Sequence, residues 1–260
     1  MRKVCRYSFY DIIRSKWLVS YTAFFFILSV ALFWLTPDFS KVMVSIMNII
    51  LVLVPLVATM FGIMYFYNAR EFTELLLSQP LRRRDIFLGQ YLAVAGSLSC
   101  AFLFGVGIPF VFFGIFKSPV IFDFASILLI GIMLSFIFSA ISFLIALRNE
   151  NKIKGFGIAI FVWLFFAIIY DGLFILLLSF FSDYPLENVA LAGIIGNPID
   201  LSRILILLKL DISVLLGYTG AVFHKALGAS AGILIAFSIL LAWIVVPVWR
   251  IVKVSSTRDY

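Results

Sequence analysis

Long apolar runs divided by short polar segments dominate the chain. A helix needs roughly 20 apolar residues to cross the hydrocarbon core of a bilayer, and five of the six runs reach or exceed that length. The runs are continuous rather than alternating, which predicts membrane-spanning helices and not the strands of a barrel. The six predicted spans cover residues 17–35, 43–67, 87–116, 124–147, 155–181 and 227–249.

Composition supports the same class of protein. Of the 260 residues, 64% are hydrophobic and 13% are charged, and the mean hydropathy is +1.16. A soluble domain of this size could not bury so much apolar surface, whereas helices satisfy their own backbone groups in lipid. We therefore expect an all-α integral membrane protein with a single transmembrane domain over residues 1–260.

Basic residues set the expected orientation. Fifteen of the twenty Lys and Arg residues fall on one side of the membrane if the six predicted spans alternate in direction. Because cytoplasmic loops of membrane proteins are enriched in Lys and Arg, both chain ends are expected in the cytoplasm. The net charge of +7 is spread over these short loops, so it does not indicate nucleic acid as a partner.

Residues 1–16 predict an interfacial helix ahead of the first span. The pattern places apolar side chains on one face and basic or polar side chains on the other. Such a helix lies on anionic lipid at the cytoplasmic surface, so membrane lipid is an expected partner. The alternative is a solvated basic tail that only sets topology. The apolar face comprises Cys5, Phe9, Ile12 and Ile13, and the polar face comprises Lys3, Arg6, Tyr10 and Arg14.

Residues 68–86 form a polar island between the second and third predicted spans. The island contains REFTELLLSQPLRRRD, in which Glu71 and Glu74 accompany an apolar stretch that a proline closes. Acids in the first turn suit the helix dipole, so we expect a short amphipathic helix. Arg82 and Arg83 follow it and are expected at the lipid headgroups. A plain cytoplasmic loop would explain the arginines but not the ELLLSQP stretch.

Residues 183–226 form the longest segment on the predicted outer side. Asn197, Pro198 and Asp200 match the cap, first and third positions of a helix start. Charged residues follow, and each charge near the bilayer centre would cost about 2.5–3.5 kcal/mol. We therefore expect an amphipathic helix on the outer membrane surface or against a partner, rather than a seventh span. These charged residues are Arg203, Lys209 and Asp211.

Asp171 is the one acid placed well inside a predicted span. An acid at such a position indicates a functional role by default, because a charge is costly inside the membrane. The alternative is that Asp171 lies near the outer end of the fifth span, where it is hydrated or paired with Arg203 or Lys225.

Motifs for catalysis or metal binding are missing from the sequence. The chain has no GxxxxGK[ST] phosphate loop, no HExxH and no GxSxG, and its single histidine is His224. Cys5 and Cys100 do not form a metal motif, and the Met and Cys ligands are too few for a metal conduction path. We therefore expect no enzymatic activity, no metal site and no cofactor in this chain.

The polar island resembles a known motif. EFTELLLSQPLRRRDIFLGQYL, residues 71–92, is similar to the cytoplasmic coupling helix of type-2 ABC exporter permeases. The resemblance implies a permease domain that forms a homodimer and is driven by two separate cytoplasmic ATPase subunits, which bind ATP and Mg. The residues implied in ATPase coupling are Glu71, Phe72, Glu74, Leu75, Arg82 and Arg83.

The outer segment carries a more specific resemblance. NPIDLSRILILLKLDISVLLGYTGAVF, residues 197–223, is similar to the copper-processing permeases of nitrous-oxide reductase maturation. This implies a protein of the bacterial inner membrane in complex with a cytoplasmic ATPase and a periplasmic β-helical copper-handling protein. Because the chain has few soft metal ligands, we expect mechanical transmission to that partner rather than copper passage. The residues implied in periplasmic partner binding are Asn197, Pro198, Asp200, Arg203 and His224.

Two alternatives stay open at this point. A type-2 permease for a lipid, a drug or a sulfur compound would have a substrate-sized cavity between its two subunits and no stable periplasmic partner. An ATP-independent membrane scaffold for a periplasmic assembly would tolerate Glu74→Arg, whereas ATPase coupling predicts loss of function in that variant.

Overall fold

The computed structural model describes residues 1–181, 187–210 and 229–257. Every regular element within these ranges is helical, which confirms the expected all-α fold class. A 3₁₀ turn at Ile115–Lys117 follows α5, and a π-helical turn at Phe165–Ile169 joins α7 to α8. The α-helices are α1 (Arg2–Ile13), α2 (Lys16–Leu35), α3 (Phe39–Asn68), α4 (Arg70–Leu77), α5 (Arg83–Phe112), α6 (Ile121–Arg148), α7 (Lys152–Leu164), α8 (Tyr170–Phe180), α9 (Glu187–Gly196), α10 (Pro198–Lys209) and α11 (Ala229–Thr257).

Six helical segments within the described residues are long and apolar enough to cross a membrane, and each overlaps a predicted span. The third span ends at Phe112, earlier than predicted, because Gly114 adopts a left-handed conformation with φ of 89° that stops the helix. The segments are Lys16–Leu35, Phe39–Asn68, Arg83–Phe112, Ile121–Arg148, Lys152–Leu177 and Ala231–Ser256.

Helices α3, α5 and α6 form the centre of the bundle. In their apolar windows 56%, 61% and 67% of the residues are buried, against 28% for α2, 22% for α11 and 0% for the fifth span. The three central helices therefore bury one another within the described part of the chain. The fifth span is formed by α7, the π turn and α8. Its first part, α7, packs on α3 and α6, whereas the apolar window after Ala159 presents its sides outward, to lipid or to another protein chain.

Two glycines allow the central helices to approach one another closely. Gly62 of α3 faces Ser142 of α6 so closely that an added Cβ would overlap the Ser142 hydroxyl. Gly131 of α6 lies against the ring of Phe102 from α5, and a Cβ there would overlap that ring. Close approach matters in lipid because van der Waals packing, and not a hydrophobic driving force, holds membrane helices together.

Helix α1 packs against α5. Gly89 of α5 lies so near α1 that an added Cβ would be 3.2 Å from the Cys5 nitrogen. Of the predicted apolar face, Ile12 is buried and both Cys5 and Phe9 are half-buried, which agrees with the spacing. Ile13 is 41% exposed, so the described chain does not cover this member of the face. The apolar face meets α5, while contact between α1 and lipid stays a prediction.

The outer segment differs from its prediction. Helices α9 and α10 meet at a bend of 106°, and α10 packs against α3, α6 and α11. The expected amphipathic helix with one exposed face is therefore wrong for α10, because apolar side chains surround it on both faces. Residues 211–226, including His224, lie outside the described residues. The buried apolar side chains of α10 are Pro198, Ile199, Leu201, Ile204, Leu205, Ile206, Leu207 and Leu208.

The contact between Gly62 and Ser142 predicts a stability effect. Gly62→Val would force α3 and α6 apart, and overpacking of this kind typically costs about 1–3 kcal/mol. We expect a lower midpoint of thermal unfolding in detergent, measured by the loss of the monodisperse peak in size-exclusion chromatography. Gly107→Val is the matched control, because nothing lies within 4 Å of a Cβ at Gly107. Equal losses in both variants would contradict the prediction.

Candidate functional site

Helix α4 begins where α3 ends. Ala69 closes α3 and also precedes α4, and its carbonyl accepts a hydrogen bond from the Thr73 nitrogen at 2.8 Å. Ser78 ends α4 through its hydroxyl, which donates to the Leu75 carbonyl at 2.8 Å, and Pro80 follows. The short helix expected in the polar island is thus confirmed at Arg70–Leu77.

A buried hydrogen bond holds α4 to the third span. Thr73 is the one buried residue of α4, and its hydroxyl accepts a hydrogen bond from Nε2 of Gln90 at 2.8 Å. Gln90 is fully buried in α5. A buried amide that loses its partner is costly, so this bond fixes the position of α4 along α5.

An aromatic contact holds α4 to the N-terminal helix. The ring of Phe72 stacks on the ring of Tyr7 from α1, with centroids 4.9 Å apart and planes at 25°. Offset stacking of this kind contributes about 0.5–1.5 kcal/mol beyond area burial. Phe72, expected to dock into an ATPase, therefore faces α1 and is half-buried. Sequence reasoning missed Thr73, Gln90 and Tyr7, although an amide inside an apolar run was a usable signal.

The opposite face of α4 is open. Glu71 and Glu74 are exposed, and Leu75 is 66% exposed. Arg70 Nε lies 3.0 Å from Glu74 Oε1 in an ion pair one helical turn apart. An exposed leucine beside two exposed acids is a small amphipathic surface that a soluble protein can contact.

The residues after α4 lead into the third span. Arg82 is exposed and Arg83 is half-buried at the start of α5. Asp85 lies 3.9 Å from both the N-terminal ammonium of Met1 and Nε of Arg84. The start of α1 therefore lies beside the start of α5, at the end of the bundle where α4 lies.

The start of the fifth span also lies beside α4. Tyr67 of α3 donates a hydrogen bond from its hydroxyl to the Asn149 carbonyl at 2.6 Å. Lys152 Nζ donates to Asn68 Oδ1 at 3.1 Å, and a small cavity between α4 and this turn is lined in part by Glu74 and Asn149. The ends of α3 and α6 and the start of α7 therefore form one hydrogen-bonded assembly next to α4.

The corner between α9 and α10 is attached to the π-helical turn. Asn197 Nδ2 donates to the Phe166 carbonyl at 2.9 Å, while Asn197 Oδ1 accepts from the Ile199 nitrogen at 3.0 Å. The predicted cap at Asn197 and the predicted first position at Pro198 are thus confirmed. A π turn disturbs the regular backbone bonding of a helix, and π turns are frequent at functional sites.

Further hydrogen bonds place this corner deep in the bundle. Trp243, near the middle of the sixth span, donates from Nε1 to the Ile195 carbonyl at 3.1 Å. Tyr170 of α8 donates from its hydroxyl to the Gly193 carbonyl at 2.7 Å. Because Phe166 and Trp243 both lie near the middle of their spans, the corner reaches into the bundle like a re-entrant loop.

One arginine is paired with two carboxylates at this site. Arg203 Nη1 lies 3.2 Å from Asp171 Oδ2 and 3.4 Å from Asp200 Oδ1. Asp200 Oδ2 also accepts a hydrogen bond from Asn197 Nδ2 at 2.8 Å. The pairing of Asp171 with Arg203, one of the two interpretations of this acid, is therefore confirmed. The cluster joins the fifth span to α10.

Most of the residues expected to bind a periplasmic partner are buried or paired within this chain. Asn197 and Pro198 are buried inside the chain, and Asp200 is held by Asn197 and Arg203. Arg203 is partly exposed, with 39% of its side chain accessible. These residues hold the re-entrant corner in place, and direct contact with a partner stays a prediction. Among the described residues, no group of three or more His, Cys, Asp or Glu side chains could hold a metal ion.

The Thr73–Gln90 bond predicts a local effect on α4. Thr73→Val removes the acceptor and leaves Nε2 of Gln90 buried without it, which we expect to speed amide hydrogen exchange of residues 70–77 about tenfold. Thr73→Ser keeps a hydroxyl and serves as the matched control. Unchanged exchange in Thr73→Val would show that this bond does not hold α4.

The charge cluster predicts non-additive stability effects. Arg203→Gln leaves the carboxylates of Asp171 and Asp200 without their cation, and we expect a cost of about 1–3 kcal/mol because the cluster is only partly buried. Adding Asp171→Asn should restore part of the lost stability, since it removes one uncompensated charge. Unfolding midpoints of the two single variants and the double variant test this. Strictly additive losses would contradict it.

Comparison with known proteins supports the same class of protein. No protein-family model matches the chain. Two curated proteins are similar in sequence to the chain, and both are described as "Probable ABC transporter permease protein NosY". The protein from Stutzerimonas stutzeri is 25% identical over 260 aligned residues, which cover 93% of this chain and 92% of that protein. The protein from Pseudomonas aeruginosa is 24% identical over 228 aligned residues, or 80% of this chain and 82% of that protein.

These alignments extend over most of the chain. Together with the all-helical fold, they confirm the resemblance to ABC transporter permeases. The chain is therefore similar, over most of its length, to ABC transporter permeases of the NosY type.

Proposed function

We propose that the chain is the membrane subunit through which an ABC ATPase acts on a periplasmic copper-handling protein during nitrous-oxide reductase maturation. The coarser part, an ABC permease subunit, rests on the similarity to two NosY proteins. The finer part includes a homodimer, a β-helical periplasmic partner and mechanical transmission without copper passage. In this proposal both chain ends lie in the cytoplasm and the protein resides in the bacterial inner membrane.

The observation that carries the proposal is the arrangement of α4. It is attached on one side through Thr73 and Phe72 to two different helices, and it exposes Glu71, Glu74 and Leu75 on the other. Such a helix is exposed to solvent on one side and fixed to membrane helices on the other. It can therefore transmit a movement of a soluble subunit to the bundle. In this proposal Phe72 holds α4 against α1 through its contact with Tyr7, and it does not enter the ATPase groove.

The fifth span supports the transmission step. Its first part, α7, is packed on α3 and buries Gly155 and Ala159, whereas the apolar window after Ala159 is unburied by the described part of the chain and can move at little packing cost. Lys152 and Asn68 link its start to the end of α3 beside α4. Asn197 links its π turn to the re-entrant corner. Movement of this span would therefore shift α9 and α10, and with them the outer segment.

The same open span supports the homodimer. An apolar window that the described part of one chain leaves unburied requires lipid or a second chain against it, and a second copy would supply a matching apolar surface. Copper is the cargo of the periplasmic partner in this proposal, and ATP and Mg are bound by the ATPase.

Glu74→Arg tests the coupling role of α4. Reversing the charge on the exposed face should abolish stimulation of ATPase activity by the permease, measured with the purified complex. The same change also breaks the pair with Arg70, so the double variant Arg70→Glu with Glu74→Arg restores that pair in reverse. If α4 docks an ATPase, the double variant stays uncoupled. Full recovery in the double variant would show that only helix stability was affected.

A purified complex tests the rest of the proposal. Solubilisation in a mild detergent and capture of this chain should recover an ATPase and a β-helical periplasmic protein. In sealed vesicles that contain this complex, ATP hydrolysis should proceed without copper uptake. ATP-dependent copper flux would rule out the mechanical mechanism, and absence of an ATPase from the captured complex would favour a scaffold.

A further inference from the structure

The charge cluster beside the corner between α9 and α10 contains more acid than base within the described residues. Arg203 brings one positive charge, whereas Asp171 and Asp200 bring one carboxyl group each. Among the described residues Arg203 is the one cation close to Asp200, since the other base of α10, Lys209, lies near Asp123 of α6. If both carboxyl groups of the cluster were ionised, it would therefore carry one uncompensated negative charge.

The protein shields this cluster from much of the water around it. The side chain of Asp171 is 29% exposed and that of Asp200 is only 15% exposed. Asn197, which is fully buried, donates a hydrogen bond from Nδ2 to Asp200 Oδ2 at 2.8 Å. A surplus charge in a site of this kind is costly, because the lost contact with water is not repaid by a partner of opposite charge.

The two carboxyl groups are close to each other as well as to the arginine. Both contact the same nitrogen, Nη1 of Arg203, and Asp171 and Asp200 are in hydrogen-bonding contact with each other. An ionised carboxylate can only accept hydrogen bonds, so two ionised carboxylates in contact repel each other. A proton on one of them makes that group a donor and leaves the other as its acceptor. Carboxyl groups held this close share one proton for this reason.

We propose that Asp171 and Asp200 together form a proton-binding site that joins the fifth span to α10. Asp200 carries the proton because it is the less exposed of the two, and its O–H group donates to the ionised carboxylate of Asp171. Asp171 keeps its ion pair with Arg203, and the bound proton brings the net charge of the cluster to zero. The site rests on the geometry of the cluster and does not depend on an ATPase or a periplasmic partner.

A proton fits this cluster better than a metal cation does. The guanidinium of Arg203 already lies against one oxygen of each carboxyl group and would repel a second cation there. The other oxygen of Asp200 faces the amide nitrogen of Asn197, which is a donor and cannot bind a metal. The orientation of this amide is fixed, since its oxygen accepts a hydrogen bond from the Ile199 nitrogen. A proton needs neither further ligands nor additional space.

Loss of the proton weakens the contact between the fifth span and α10. It leaves two ionised carboxylates beside one guanidinium, and their repulsion acts directly between α8 and the first turn of α10. The hydrogen bonds from Tyr170 to Gly193 and from Asn197 to Phe166 remain. Because the folded protein binds a proton that the unfolded chain has lost at neutral pH, the contribution of this site to stability falls as the pH rises.

Infrared difference spectroscopy of the purified full-length protein tests the site. Ordinary Asp and Glu side chains are ionised at about pH 7, so a carboxylic acid carbonyl band at that pH, lost on titration to about pH 10, reports a retained proton. Asp200→Asn should lack the band. Asp171→Asn removes the like charge, so its band should disappear at a pH about one to two units lower than in the unaltered protein. Asp11→Asn changes an exposed aspartate of α1 and should behave as the unaltered protein.

Thermal unfolding in detergent gives a second readout. Between about pH 6 and pH 9 the unfolding midpoint of the unaltered protein should fall by about 3–5 °C more than that of Asp200→Asn, which has no proton to lose at this site. Equal falls in the two proteins would overturn the proposal. A carbonyl band missing from the unaltered protein at neutral pH, a band that persists in Asp200→Asn, or a band that titrates unchanged in Asp171→Asn would also overturn it.

Discussion

A backbone carbonyl without a hydrogen-bond donor costs several kcal/mol inside a bilayer, and this constraint shapes the corner between α9 and α10. The fifth span contains a π turn at Phe165–Ile169, where the regular bonding of a helix is disturbed. The amide of Asn197 donates to the Phe166 carbonyl within this turn. Since Asn197 also caps α10, one side chain satisfies the irregular backbone of two elements at once. The re-entrant corner and the π turn therefore depend on each other.

The same constraint explains why charges are tolerated beside this corner. Arg203 would be costly at this depth alone, and so would either carboxylate. Together they form a cluster in which one guanidinium contacts Asp171 and Asp200 within 3.2 Å and 3.4 Å. The apolar remainder of α10 can then pack on both faces against α3, α6 and α11. Pairing of the charges is what allows an element of mixed polarity to enter the bundle.

Sequence patterns predicted the parts of this fold that depend on local chemistry. The spans were recognisable because polar segments separate long apolar runs, and α4 because acids precede an apolar stretch that Pro80 closes. The cap at Asn197 followed from residue types at adjacent positions. The burial of α10 could not be predicted in this way, since the cost assigned to Arg203 assumed an unpaired charge. Its partner Asp171 lies 32 residues away in the chain. The amide of Gln90 inside an apolar run was a signal, but its partner Thr73 lies 17 residues away in another helix, so the bond itself could not be predicted.

Hydrogen bonds connect the two sites along the least packed part of the molecule. Beside α4, Lys152 joins the start of the fifth span to Asn68 at the end of α3. Near mid-span, Asn197 joins the π turn to the re-entrant corner. Between these points Gly155 and Ala159 of α7 are buried against the bundle, and the indole of Trp163 donates a hydrogen bond to the Val52 carbonyl of α3 at 3.2 Å, so this half of the span is fixed to α3. A π turn accommodates a change of register more readily than a regular helix, because its backbone bonds are already irregular. Under the proposed mechanism, a displacement of α4 and of the end of α3 therefore moves α7, and the π turn passes this movement to the re-entrant corner through Asn197.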